Sequence, residues 1–274
     1  MHLPSYALGV PDARVNGIRL HYEDQGEGPP VACIHGGGST ALMWADAIPE
    51  LARLGRVIAY DRRGCTRSER PEPYERTSVA EQADDAAALL DALDATPAVI
   101  IARSYGGAVA IDLALRYPDH VRALALLEGD ALGLSPAALE WTTALRDRLR
   151  EVAAEDGIDA VYAALIGEVM DEGAWDSYPE EVRGILSRNS PALLAELGYV
   201  DEPQPDAAAF ARIEQPALLV AASDSPPEQR AMSEAMAAVL PDARTALVAG
   251  GHLIDPATPE VLAFVEEIVE KSSA

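Results

Sequence analysis

The chain has 274 residues, 49% of them hydrophobic and 24% charged, enough for one large α/β domain or two smaller ones. Its 21 basic residues against 45 acidic ones give a net charge of −24, which repels phosphate backbones and anionic lipid and argues against nucleic-acid or membrane binding. Lys271 is the only lysine, so Schiff-base, pyridoxal-phosphate and P-loop chemistry lack a placed amine.

In chain order, residues 14–23 read as a β-hairpin turning on Asn16-Gly17. The runs 31–34 and 57–60 are short and almost continuously apolar, as strands covered on both faces are. Residues 77–93 set Val79, Ala83, Ala86, Leu89, Leu90 and Leu93 on one helical stripe. A strand over 98–102, a helix over 105–117 stopped by Pro118, and a strand over 121–127 follow. From about 133 to 206 the pattern is helical with no strand candidate, and a Pro-rich connector over 201–206 closes it. Strands over 217–222 and 244–248 and a helix over 258–269, with Pro259 in its first turn, complete the chain. Alternating strands and helices predict an α/β fold: a mostly parallel central sheet with helices on both faces. We expect a core domain of residues 1–132 and 207–274, and a helical cap of residues 133–206 inserted after the strand at 121–127.

Three loops carry candidate chemistry. Ala102-Arg103-Ser104-Tyr105-Gly106-Gly107 joins a strand directly to a helix, and such a turn lifts its middle residue, Ser104, to the carboxyl edge of the sheet. Gly133-Leu134-Ser135-Pro136-Ala137 fits the pattern loosely but follows no strand. His35-Gly36-Gly37-Gly38 also follows a strand, and its glycines let main-chain amides approach a ligand. With the Tyr105 amide they form an oxyanion hole, Gly37 being the expected donor and Gly38 the second choice. Gly250-Gly251-His252 puts a histidine on a loop at the same edge, within reach of Ser104. His2, His21, His35 and His120 have duller positions. No spacing suits a metal, and Cys33 and Cys65 read as reduced thiols. The segment Met1–Tyr6 has no leader pattern and no apolar run is long enough to span a bilayer, so a cytoplasmic protein is expected.

These features together resemble the α/β-hydrolase fold family across essentially the whole chain. Tyr60-Asp61-Arg62-Arg63-Gly64 and Tyr117-Pro118-Asp119-His120-Val121 add to the likeness as structural segments. The resemblance implies Ser104 as nucleophile, His252 as general base, and the Gly37 and Tyr105 amides as oxyanion hole. A serine in place of the dehalogenases' aspartate excludes dehalogenation. The triad acid is open. Most relatives carry an aspartate after the strand equivalent to 217–222, where this chain has Asp224 one residue early and Ser225 in the usual place. Glu128, at the end of the strand at 121–127, matches relatives whose acid comes from that strand, among them the zearalenone-type lactone hydrolases, which the chain resembles also in Ala221-Ala222-Ser223. Glu128 is our first choice, Asp224 the alternative and Asp130 the third. The resemblance implies an esterase or lactonase for a small to medium apolar substrate, with no cofactor and no metal. Trp141, Trp175 and Tyr178 of the cap, with Tyr162, are candidate pocket residues. Carbon–carbon hydrolase, lyase or cofactor-free oxygenase chemistry, or a non-catalytic ligand-binding role, are the alternatives.

Overall fold

A computed structural model describes residues 11–170 and 173–273; His2 and the Met1–Tyr6 segment lie outside the described residues. Eight strands build one sheet: β1 (Asp12–Val15), β2 (Ile18–Gln25), β3 (Pro30–Ile34), β4 (Arg56–Tyr60), β5 (Ala98–Arg103), β6 (Val121–Leu127), β7 (Ala217–Ala222) and β8 (Ala243–Val248). Their order is β1-β2-β4-β3-β5-β6-β7-β8. The β1–β2 and β2–β4 pairs are antiparallel, and every other pair is parallel. The predicted hairpin is the β1–β2 pair. Asn16 and Gly17 both take positive φ (45° and 80°), as a type I′ turn requires.

The helices are α1 (Ile48–Leu51), α2 (Val79–Ala92), α3 (Tyr105–Arg116), α4 (Pro136–Glu155), α5 (Val161–Val169), α6 (Ala174–Ser177), α7 (Glu180–Arg188), α8 (Ser190–Glu196), α9 (Ala207–Phe210), α10 (Pro227–Val239) and α11 (Pro259–Ser273). The stripe predicted on α2 is its buried face, and Ser78 caps its first turn by accepting from the Glu81 amide at 3.0 Å. Period-two alternation along β5 sends Ile100 and Ala102 into one core, shared with α2, α3 and α10. Val99 and Ile101 enter the other, shared with α1 and α11. Ile100 and Ile101 are both fully buried, and each contributes about 1.5–3 kcal/mol of apolar burial. A continuous apolar run is thus the mark of a strand with a helix layer on each side.

Helices α4 to α8 form an insert between β6 and β7, with no strand among its described residues. The loose motif at 133–137 is the start of this insert: Ser135 is the N-cap of α4, accepting from the Ala138 amide at 3.2 Å. Helix α10 was not expected from the sequence. It begins at Pro227, which occupies the first helical position, where its missing N–H costs nothing. Among the described residues no helix is long and apolar enough to cross a membrane, and Cys33 and Cys65 are free and buried.

Candidate active site

Ser104 stands between β5 and α3 with φ 51° and ψ −128°, a conformation that costs a non-glycine residue about 1–3 kcal/mol. The surrounding packing holds it there. Its amide donates to the Leu127 carbonyl at 3.2 Å, and its carbonyl accepts from Gly107 at 2.7 Å and Asp130 at 3.0 Å. The two glycines after Tyr105 permit close packing of α3. A Cβ at 106 would stand 2.5 Å from the Ile34 and His35 carbonyl oxygens, and one at 107 would stand 2.3 Å from Gly129 Cα. Ser104 itself is half-buried at the floor of a cavity whose wall also includes His252, Gly37 and Tyr105.

The loop after β3 is fixed by His35 and Arg62. The Nε2 of His35 accepts from the Arg62 amide at 2.9 Å, so Nδ1 carries the proton and donates to the Gly36 carbonyl at 2.9 Å. Burial, with the Arg62 charge beside it, holds the His35 pKa well below the ordinary histidine value. The ring is a neutral strut. Arg62 is fully buried, donates to the carbonyls of His35 and Gly36 at 2.9 and 2.8 Å, and pairs with Glu196 at the end of α8. The Oε2 of Glu196 also accepts from the Gly38 amide at 2.8 Å. Gly38, the second-choice donor, is therefore occupied. Among the described residues the Gly37 and Tyr105 amides have no hydrogen-bond partner. Glu196 is a residue that sequence reasoning missed, since nothing local to α8 links it to a glycine 158 positions away.

His252 is buried on the loop between β8 and α11, and its Nδ1 lies 2.7 Å from Glu128 Oε2. Glu128 directly follows β6 with φ 47° and is fully buried. Its other contacts are the Ala222 amide at 2.9 Å and the Ser225 hydroxyl at 2.8 Å, both donating to it. A carboxylate only accepts, so this arrangement puts the imidazole proton on Nδ1 and leaves the Nε2 lone pair able to take another. Asp224, the alternative acid, is exposed and accepts from the Ser223 hydroxyl at 2.8 Å. Ser225, in the usual acid position, serves instead as a donor to Glu128.

Asp130, the third choice, lines the same cavity and accepts from Tyr199 Oη at 2.6 Å. Burial pushes its pKa up to about 6, against the opposing effect of the Tyr199 hydrogen bond. Of the aromatics proposed for the pocket, Trp141 and Tyr162 line the cavity. Trp175 and Tyr178 do not. Trp175 packs behind Tyr162 with ring centroids 6.2 Å apart, and Tyr178 meets Trp175 edge-on at 6.2 Å. Their aromatic character serves the packing of the insert. No group of three or more His, Cys, Asp or Glu side chains among the described residues is arranged to hold a metal ion.

Comparison with known proteins agrees with this architecture. A family model described as alpha/beta hydrolase fold matches residues 29–160. The chain is 41% identical over 116 residues to the 2-hydroxymuconate semialdehyde hydrolase of Pseudomonas sp. (strain CF600), a match covering 40% of each chain. It is 32% identical over 197 residues to the 2-hydroxy-6-oxo-2,4-heptadienoate hydrolase of Pseudomonas putida, covering 69% of this chain and 61% of that one. The chain thus aligns with only part of the length of these curated relatives. Among solved structures, a thermophilic esterase from Thermogutta terrifontis superposes with a TM-score of 0.76 at 27% identity, over 96% of this chain and 98% of that one. With this strand order, this helical insert and these matches, the chain has the α/β-hydrolase fold.

Proposed function

We propose that the protein hydrolyses a carboxylic ester or lactone through an acyl-enzyme. In this reading Ser104 is the nucleophile, His252 the general base and Glu128 the acid that orients it. The observation that carries the reading is the 2.7 Å contact of His252 Nδ1 with a fully buried carboxylate, His252 itself lining the cavity that Ser104 also lines.

His252 Nε2 takes the Ser104 proton as Oγ attacks the carbonyl carbon. The negative charge that develops on the carbonyl oxygen is met by the Gly37 and Tyr105 amides, each such donor being worth about 3–4 kcal/mol at the transition state. The alkoxide then leaves with the proton from His252, and water attacks the acyl-enzyme by the same route in reverse. Glu128 keeps its negative charge throughout and stabilises the imidazolium. The insert over residues 133–206 acts as a cap, with Trp141, Tyr162, Leu145 and Ile166 forming an apolar wall for the substrate.

A panel of chromogenic esters and macrocyclic lactones tests this. Rapid mixing should show a burst of alcohol equal to the enzyme concentration, or single-exponential turnover lost in Ser104→Ala. Turnover that survives Ser104→Ala sinks the reading. A second reading, cleavage of a carbon–carbon bond next to a carbonyl by the same residues, draws on the identity to the 2-hydroxymuconate semialdehyde hydrolase. Vinylogous keto-acids cleaved in preference to every ester would favour it.

A further inference from the structure

Arg103 closes β5 immediately before Ser104. By the alternation of the strand it leaves the sheet on the side of Val99 and Ile101. Its guanidinium lies over the Trp44 ring, 5.1 Å from the centroid, and Nη2 donates to the Ile254 carbonyl. The residue is 6% exposed, and its Nε is buried with no hydrogen-bond partner. Among the described residues no carboxylate is paired with it; Asp255 acts on it only from beyond ion-pair range. The other buried arginines are all paired: Arg62 with Glu196, Arg63 with Asp85, and Arg146 with Asp201. In a chain with 45 acidic residues, an arginine without a counter-charge is not explained by a shortage of carboxylates.

Burial lowers the Arg103 pKa to about 10, so the group stays charged at neutral pH. A buried, unpaired guanidinium is destabilising. Arg103 also lines the cavity that holds Ser104 and His252. A second polar group close enough to feel its charge, Tyr178 Oη, is likewise buried without a partner.

We propose that Arg103 is the carboxylate-binding residue of this cavity, and that the ester or lactone cleaved at Ser104 carries a second, free carboxylate. The planar guanidinium suits that group, which supplies the missing counter-charge and fixes the substrate beside the nucleophile. The net charge of −24 does not bar an anionic substrate, because surface charges are screened beyond about 8 Å at physiological ionic strength. The cleavage step rests on the hydrolase reading; the binding step does not.

The test pairs mono-(4-nitrophenyl) glutarate with 4-nitrophenyl 5-methylhexanoate, in which an isopropyl group replaces the carboxylate at nearly the same shape. The wild-type protein should favour the anionic ester in kcat/KM by about 10- to 100-fold, the scale of one charge-assisted hydrogen-bonded contact. The ratio of the two rates is the readout: Arg103→Met should bring it to about one, while Arg103→Lys keeps part of the preference. Equal losses on both esters in Arg103→Met, or no anionic preference in the wild type, would overturn the proposal. The first of these results would make Arg103 an anchor of the His252 loop through Ile254. Calorimetric binding of both esters to Ser104→Ala separates the two claims. Tighter binding of the anionic ester supports the proposal even if neither ester is turned over by the wild type, in which case the hydrolase reading alone falls. Equal binding overturns the proposal whatever the turnover. If Arg103→Met does not fold, the wild-type preference and its partial loss in Arg103→Lys decide.

Discussion

Replacing Glu128 with glutamine exchanges one oxygen for an NH2 group where both oxygens are already committed. One accepts from the Ala222 amide at 2.9 Å; the other accepts from Ser225 Oγ at 2.8 Å and stands 2.7 Å from His252 Nδ1. The Ala222 N–H is part of the backbone and cannot turn away, so the glutamine carbonyl oxygen stays with it. The NH2 group then faces Ser225 and His252. The Ser225 hydroxyl can rotate to accept, but the imidazole can accept only by presenting a bare Nδ1, which moves its proton to Nε2. That is the nitrogen from which the base must act. A wrong-tautomer histidine costs about 10⁴-fold in kcat, or about 5.4 kcal/mol. Asp224→Asn, at an exposed side chain bonded to Ser223, should stay within about twofold, a surface change that touches no part of the constellation. The assay is the initial rate on a saturating chromogenic ester, with thermal melting curves to establish that both variants fold. A Glu128→Gln protein within tenfold of wild type, or an Asp224→Asn protein crippled instead, would refute the reasoning.

Other outcomes follow from the buried charges. Asp130 has a folded-state pKa of about 6 against about 3.9 unfolded, so the native state holds its proton more tightly. Its contribution to stability is therefore lost as pH rises between those values, by about 3 kcal/mol, and urea unfolding should show Asp130→Asn gaining on the wild type from pH 4 to pH 6.5. A pH-independent difference would contradict this. Glu196→Ala strips a fully buried Arg62 of its counter-charge and should destabilise the fold by about 3–5 kcal/mol in the same measurement. Cys33, with a pKa pushed up to about 12 by burial, and Cys65, raised well above its ordinary value, should resist a thiol reagent in the native protein and react fully in denaturant.

Much of the scaffold was legible because its signals are local. An apolar run of five or six residues is a strand buried on both faces wherever it occurs, and the turns after β3, β5 and β8 carry their glycines beside the residues they expose. Ser104 and His252, far apart in sequence, are brought to one cavity wall because both follow strands of the same parallel sheet. What stayed open or hidden depends on pairs distant along the chain. Glu128 and Asp224 both follow strands of the sheet, and only the path of the backbone decides that one turns inward and the other faces outward. The hold of Glu196 on Gly38, and of Ser225 on Glu128, has no spacing to betray it. The aromatics of the insert were ambiguous for a different reason: core packing and a cavity wall ask for the same side chains, so composition alone could not divide Trp141 and Tyr162, which line the cavity, from Trp175 and Tyr178, which do not.

The central claim is a nucleophilic oxygen at residue 104, and its most direct test is covalent. Treatment with a fluorophosphonate followed by peptide mapping should give one adduct per chain, on the peptide that contains Ser104, and His252→Ala should slow its formation by orders of magnitude. A protein left unlabelled at Ser104, or labelled there just as fast without the imidazole, would contradict the account.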